Sequence, residues 1–272
     1  MKLFENLVYI EFDKRVPFLA FLLSFCVVSF AQNLREAFSS PNGKIEWKAE
    51  GEVNKVKAFD VAYRDACKGN KESQVLHITG YGLNTGDGGG RNLVLKDISK
   101  PKYISEHYLM LMGKKSECKN EANEVVYTFE DELQRPLRMV VRLYNDGVAF
   151  RYELEGLQHT SIKQDLTTYH ISEGTRRWFQ EWTEAYENFF PLSTTGKGGK
   201  QHWGYPCLLE QNGVFSLITE AGIERINSAS SLKNSQNPED YHVFLDENTQ
   251  HYSGNWKSPW RVVVIGKKQD LI

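Results

Sequence analysis

Residues 137–154 set the terms on which the rest of this chain has to be read. The run LRMVVRLY is followed by Asn145-Asp146-Gly147 and then by VAFRYEL. In the second arm Val148, Phe150, Tyr152 and Leu154 recur at every second position, with Arg151 and Glu153 between them. Period-two alternation buries one face of a strand and wets the other. Asn, Asp and Gly tolerate the positive φ that tight hairpin turns require. The stretch is therefore predicted to be a β-hairpin turning at residues 145–147.

Further short runs rich in β-formers lie at 45–49, 56–63, 75–79 and 125–129, and residues 103–112 alternate weakly. Residues 214–219 (VFSLIT) and 261–265 (RVVVI) read as buried strands, the first after a Gln211-Asn212-Gly213 turn. Helical periodicity is nearly absent after residue 31. Many short strands separated by Gly and Asn turns predict an all-β fold, a large β-sandwich in one domain. Three segments read as loops. Residues 80–91 (GYGLNTGDGGGR) form a mobile, glycine-rich surface loop, and 193–200 (STTGKGGK) a flexible, basic one. Residues 228–240 are polar, with no apolar rhythm beyond Leu232.

The N-terminus reads as a targeting signal. Lys14 and Arg15 precede an uncharged run at 16–30, and Ser29 and Ala31 occupy the −3 and −1 positions of an A-x-A-like cleavage site. Residues 1–31 are expected to be a signal peptide removed before Gln32, leaving a secreted or periplasmic domain over residues 32–272. An uncleaved anchor is the alternative, but the apolar run falls short of the about 20 residues a membrane span needs. Phe25 stands where a lipobox before Cys26 would need a small residue. Cleavage leaves Cys67, Cys118 and Cys207, which cannot all pair internally, so stability must come from the core. A hydrophobic content of 40% supports such a core. The net charge of −2 argues against nucleic acid as a partner, since that needs a basic stripe to displace counterions from phosphates. No later apolar run suggests a membrane.

Several familiar chemistries are missing. The glycines at 86–90 lack the Gly-Lys-Ser/Thr of a phosphate loop and the strand–glycine–helix context of a dinucleotide site. The seven histidines show no H-E-x-x-H or other zinc spacing, no cysteine pair has metal spacing, and there is no G-x-S-x-G elbow. The richest segment is 177–191, RWFQEWTEAYENFFP. It sets Trp178, Phe179, Trp182, Tyr186, Phe189 and Phe190 among Glu181, Glu184 and Glu187. Carboxylates there suit a hard cation such as Ca²⁺, and aromatic faces suit sugar rings. The competing reading is an aromatic core strip whose acids face solvent. Glu220 closes an apolar strand, where capping or surface exposure competes with a role at a site. Glycoside hydrolysis would need a pair of acids flanking the bond, and no pair is identifiable.

Taken in order, these pieces resemble the N-terminal β-sandwich domain of glycoside hydrolase family 97. Ser40-Pro41-Asn42-Gly43-Lys44-Ile45 looks like the opening strand, and residues 142–152 (RLYNDGVAFRY) carry the most specific match. Residues 182–191, Tyr205-Pro206, residues 217–221 and residues 258–266 (SPWRVVVIG) follow in the family's order. The resemblance implies a super-sandwich that packs on a (β/α)₈ barrel in a calcium-dependent α-glycosidase, of α-glucosidase or α-galactosidase type. It implies that the barrel supplies the catalytic groups, and that the sandwich lends the calcium one glutamate, which matches Glu187.

After Gly266 only Lys-Lys-Gln-Asp-Leu-Ile remains. The catalytic barrel is thus expected to be absent from this chain, catalytic residues with it, and hydrolysis by the chain alone is not expected. The oligosaccharide or α-glycoside substrate would be met through the barrel, and the face that packs there should be unusually apolar. A free-standing secreted carbohydrate-binding module is the alternative, and a structural or adhesion sandwich with no sugar site is a third reading.

Overall fold

A computed structural model describes residues 33–65, 71–112, 116–197, 202–225, 227–245 and 250–270. The signal expected at 1–31, Cys67 and the end of the 193–200 segment lie outside these residues.

The chain opens as a run of antiparallel strands: β1 (Asn33–Ser39), β2 (Ile45–Glu52), β3 (Lys55–Asp65) and β4 (Lys71–Gly80), each paired with the next. Short β5 (Leu83–Thr85) and β6 (Val94–Ile98) follow, then β7 (Lys102–Leu109) and the 14-residue β8 (Glu117–Glu130). The predicted hairpin is β9 (Pro136–Tyr144) and β10 (Gly147–Thr160), in register from Tyr144 opposite Gly147 to Leu137 opposite Leu154. Next come β11 (Ile162–Asp165), β12 (Thr168–His170), β13 (Arg176–Glu181) and the two-residue β14 (Leu192–Ser193). The chain finishes with β15 (His202–Gln211), β16 (Val214–Ala221), β17 (Ser230–Asn234), β18 (Asp240–Leu245), β19 (Tyr252–Lys257) and β20 (Trp260–Gly266). Among the described residues the one helical element is a 3-10 turn at Lys268–Asp270.

Two curved layers emerge from the pairings. The first runs β1-β2-β3-β4-β12-β18-β17-β15. The second runs β14-β13-β15-β16-β20-β10-β9-β8, with β6 and β7 sharing the far edge of β8 and β19 beside β10. Every pairing is antiparallel. Strand β15 belongs to both layers: His202 and Trp203 pair with β17, while Cys207 onward pairs with β16. The switch falls at the cis Tyr205–Pro206 bond.

Alternation along the strands fills the space between the layers. Trp47 on β2 lies 5.0 Å from Phe59 on β3 and 5.8 Å from Phe150 on β10, ring centre to ring centre, and Phe59 meets Tyr127 of β8 at 5.3 Å. Each of these side chains is fully buried. Offset and edge-on contacts of this kind add to the gain from burial. The all-β sandwich expected from the sequence is what the chain forms.

Three expectations need correction. First, the turn of the β9–β10 hairpin does not use positive φ. That conformation appears at the other hairpin, where Asn212 (56°) and Gly213 (80°) join β15 to β16, both centres left-handed as a type I′ turn requires. Gly147 is needed for a different reason: a Cβ there would sit 2.5 Å from the Val263 carbonyl oxygen of β20. Asn145 and Asp146 are tied down from outside, by Asn42 N donating to Asn145 Oδ1 and Ile265 N to Asp146 O.

Second, the glycine-rich segment is clamped. Asp131 Oδ2 accepts from Gly90 N at 3.0 Å and from Arg135 Nη2 at 2.9 Å, and Arg135 Nη1 donates to Asp87 Oδ2 at 2.7 Å. Gly89 and Gly90 are buried, and β5 within the segment pairs with β11. Third, residues 228–240 hold a strand. β17 buries Ser230, Ser231, Leu232 and Asn234. Its polar side chains are tolerated inside because they find partners: Ser230 Oγ donates to Glu220, and Asn234 accepts from Trp203 Nε1 and donates to Pro238 O.

Candidate functional site

The aromatic–acidic segment divides where β13 ends. Phe179 is core, 5.4 Å from Tyr241 and 5.9 Å from Trp203. Arg177, also buried, donates to Tyr241 Oη and to the carbonyls of Thr175 and Ser172. Trp178 is on the opposite face, half-buried and stacked on Phe215. Strand pairing with β15 holds this part in place.

Beyond Glu181 the chain leaves the sheet. Trp182 N still donates to His202 O, and Tyr186 N closes a turn onto Thr183 O. Tyr186 adopts φ 54°, and its ring lies over Gly204, where a Cβ would be 3.3 Å from Cε1. Tyr186, Phe189, Phe190 and Leu192 are all exposed, Phe189 to 86%. At the root of this platform two buried polar atoms, Gln180 Nε2 and Thr183 Oγ1, have no hydrogen-bond partner. The core-strip reading thus holds for Phe179 and fails for the run after Trp182. A second exposed apolar run, Leu109, Met110, Leu111 and Met112, caps the β7–β8 ribbon.

Glu181, Glu184 and Glu187 are all exposed. Glu187 sits within the platform, flanked by Tyr186 and the two Phe residues, and forms no ion pair among the described residues. Ca²⁺ takes six to eight oxygens, and one carboxylate offers two at most. No group of three His, Cys, Asp or Glu among the described residues is placed to hold a metal. The described residues on their own therefore do not fit a calcium ion; Glu187 would be one donor among several.

Glu220 is neither a cap nor a surface acid. Its Oε2 accepts from Arg261 Nη1 at 2.6 Å, and the same guanidinium reaches Asp165 Oδ2 through Nη2 at 2.8 Å. Burial opposes the charge on Arg261, yet Asp165, with Tyr205, Glu220 and Tyr169, more than offsets it and raises its pKa above the ordinary value. Tyr169 and Tyr205 lie in the same field, their hydroxyls pushed up chiefly by burial. This network ties β11, β16 and β20 together.

Sequence spacing hid one histidine arrangement. His77 on β4 and His170 on β12 are register partners with rings 5.8 Å apart. Each Nδ1 is held by a carboxylate, Asp60 for His77 and Asp240 for His170, and His170 Nε2 also faces Glu239 at 3.4 Å. Only the strand order brings these residues together. Cys118 and Cys207 are both free thiols.

Against known proteins, the sequence profile described as glycosyl-hydrolase 97 N-terminal matches residues 38–272. A probable retaining alpha-galactosidase of Streptomyces bingchenggensis (strain BCW-1) is 24% identical over 168 residues, which is 61% of this chain and 26% of the relative. A glycoside hydrolase family 97 enzyme from Pseudoalteromonas sp. strain K8, solved with panose and with acarbose, superposes with a TM-score of 0.72 at 18% identity. That match covers 86% of this chain and 36% of the enzyme. A beta-arabinopyranosidase structure superposes with a TM-score of 0.69 at 21% identity, covering 85% of this chain and 40% of that one. The two structural likenesses establish a shared fold, and this chain spans well under half the length of each relative.

Proposed function

The chain belongs to the glycosyl-hydrolase 97 N-terminal family, and from that premise we propose that it is the sandwich module of a secreted, calcium-dependent α-glycosidase, buttressing a catalytic domain and lending it one metal ligand. The observation that carries this reading is the platform at residues 182–192. Exposed Tyr186, Phe189, Phe190 and Leu192 share this segment with exposed Glu187, and unpaired Gln180 Nε2 and Thr183 Oγ1 sit at its root. Apolar patches with polar atoms of this sort mark contact surfaces. Docking a second domain there would cover the rings.

In that arrangement the Glu187 carboxylate supplies one or both of its oxygens, and the catalytic domain supplies the rest of the coordination sphere. Bound calcium would polarise the groups around the leaving oxygen. The carboxylates that cleave the glycosidic bond, and whose separation fixes inversion or retention, would come from the catalytic domain. The relatives include a probable alpha-galactosidase and an enzyme solved with panose, which supports an α-glycoside as the substrate class.

The test is to sequence the genomic DNA and transcript beyond the codon for Ile272. Continuation into a (β/α)₈ barrel is expected. In the protein so encoded, Glu187→Gln should weaken calcium binding in a chelator competition and lower α-glycosidase turnover with it. Unrelated sequence beyond the codon, or calcium affinity unmoved by Glu187→Gln, overturns the reading.

A further inference from the structure

The module reading leaves the glycine-rich segment 80–91 without a role. Asp131 and Arg135 fasten its middle, as described, and its two ends then stand as one wall of a cleft. The opposite wall is the β2–β3 turn at residues 54–57. The cleft measures about 490 Å³, a size typical of small-molecule sites. Buried Val56 and Leu93 make the floor, with half-buried Tyr81 beside them. Tyr81 Oη donates to the Val56 carbonyl at 2.8 Å, which fixes the ring. Burial pushes its hydroxyl up to about 12, so the ring stays neutral at any working pH.

The rim is polar and largely unengaged. Asn54, Thr79 and Asn92 are exposed, and their side chains make no hydrogen bond among the described residues. Asn92 is held at φ 47°, a backbone state that asparagine tolerates better than most residues. The cations are already balanced: Lys57 pairs with Glu52 at 2.9 Å, Arg91 with Glu132 at 3.3 Å, and Lys55 shares the field of Glu52. A polyanion would find little net charge to bind. Free amides and a hydroxyl above an apolar, aromatic floor instead match a neutral polyhydroxylated ring, which offers hydroxyls at its edge and C–H groups on its face.

We propose that this cleft is a non-catalytic binding site for a short neutral oligosaccharide. The choice of sugar rests on the glycosidase reading; the location and neutrality rest on the cleft itself. Engagement there would hold substrate near the enzyme without any part in bond cleavage.

The probe is panose, titrated into the full chain and followed by amide NMR. Saturable shifts at Asn54, Tyr81 and Asn92 are expected, with affinity near the millimolar range, about −4 kcal/mol. Asn54→Ala and Asn92→Gly, the latter keeping the left-handed backbone accessible, should each weaken binding about fivefold, the share of one hydrogen bond. Both sites are exposed, so the thermal midpoint should hold. Three results overturn the proposal: no saturable shift at about 20 mM panose, well above the expected constant; shifts unaffected by both substitutions; or binding of a sulfated oligosaccharide in preference to panose. If the reading frame continues into a barrel while panose stays silent, the cleft alone has failed and the module reading stands.

Discussion

Arg261 and Asp165 meet in the interior with 1% of each side chain exposed, Nη2 donating to Oδ2 at 2.8 Å and Nε to the same oxygen at 3.1 Å. The contact joins the last strand, β20, to β11, 96 residues earlier. Asp165 Oδ1 in turn accepts from Thr167 N, whose hydroxyl bonds Tyr152 Oη.

Removing the cation strands a fully buried carboxylate, Asp165, and a partly buried one, Glu220. Arg261→Ala should cost about 3–5 kcal/mol, the range for breaking a buried pair from one side. Urea unfolding would measure it. Neutralising all three groups together, with Arg261→Met, Asp165→Asn and Glu220→Gln, should cost less than the single change, because no unpaired charge is left. Equal losses would mean that packing, and not charge, is what the site contributes.

Gly147→Ala tests close approach between strands. The added methyl would sit 2.5 Å from the Val263 carbonyl oxygen, so β20 must move or the hairpin must. A loss of about 1–3 kcal/mol is expected, as for overpacking. Gly156→Ala is the control for backbone conformation: that glycine has φ 67° and open space around it. Comparing the two by thermal unfolding separates contact from conformational strain.

The clamp on the glycine-rich segment should fail in acid. Burial acts to raise the Asp87 pKa, but bonds from Thr85, Arg135 and Gly89 outweigh it and leave it below the ordinary 3.8. Asp87 therefore adds stability that is fully present above pH 3.8 and is lost as pH falls through its lower folded value. Amide exchange at Gly88, Gly89 and Gly90 should be protected above that window and accelerate below it. Asp87→Asn should abolish the acid step. Acceleration of the same size in Asp87→Asn would assign it to another group.

The two described thiols should differ sharply in reactivity. Cys207 is fully buried, and burial pushes its thiol well above the usual range, which suppresses the reactive thiolate. Cys118 lies half-exposed on β8. Alkylation of the native protein followed by peptide mapping should label Cys118 and spare Cys207. Denaturant should expose Cys207 at the midpoint of global unfolding.

Phe189 and Phe190 should be dispensable to the isolated fold. Replacing both with Ser removes exposed surface, so stability should change by no more than about 0.5 kcal/mol. Self-association in sedimentation experiments should fall, because an apolar patch is being removed. A large loss of stability would show that the platform packs on its own sandwich.

The fold was legible wherever side chains alternate. β16 and β20 alternate in burial, the β9–β10 hairpin shows in its sequence alternation although β10 buries Ala149 and Glu153 on its other face too, and Asn212-Gly213 announces its own turn. β17 was illegible because its inward residues are Ser230, Ser231 and Asn234, polar groups made tolerable by partners far away in sequence. The clamped glycine segment looked mobile for the same reason: its anchors, Asp131 and Arg135, come about 40 residues later. Within the candidate site the sequence singled out residues 177–191. It did not show that the segment leaves the sheet after Glu181, since aromatic residues are written alike whether they fill a core or face outward. The Asp60–His77–His170–Asp240 row depends on strand order, which composition does not record.

Strand β15 runs in both layers, and that has a mechanical consequence. Load applied to either layer passes along one covalent backbone into the other, with no soft seam at that corner where the layers could slide. The platform at residues 182–192 is rooted on β13, which pairs with this same strand along most of its length. Whatever leans on the platform therefore pushes against both layers at once, and the sandwich meets it as a stiff bracket.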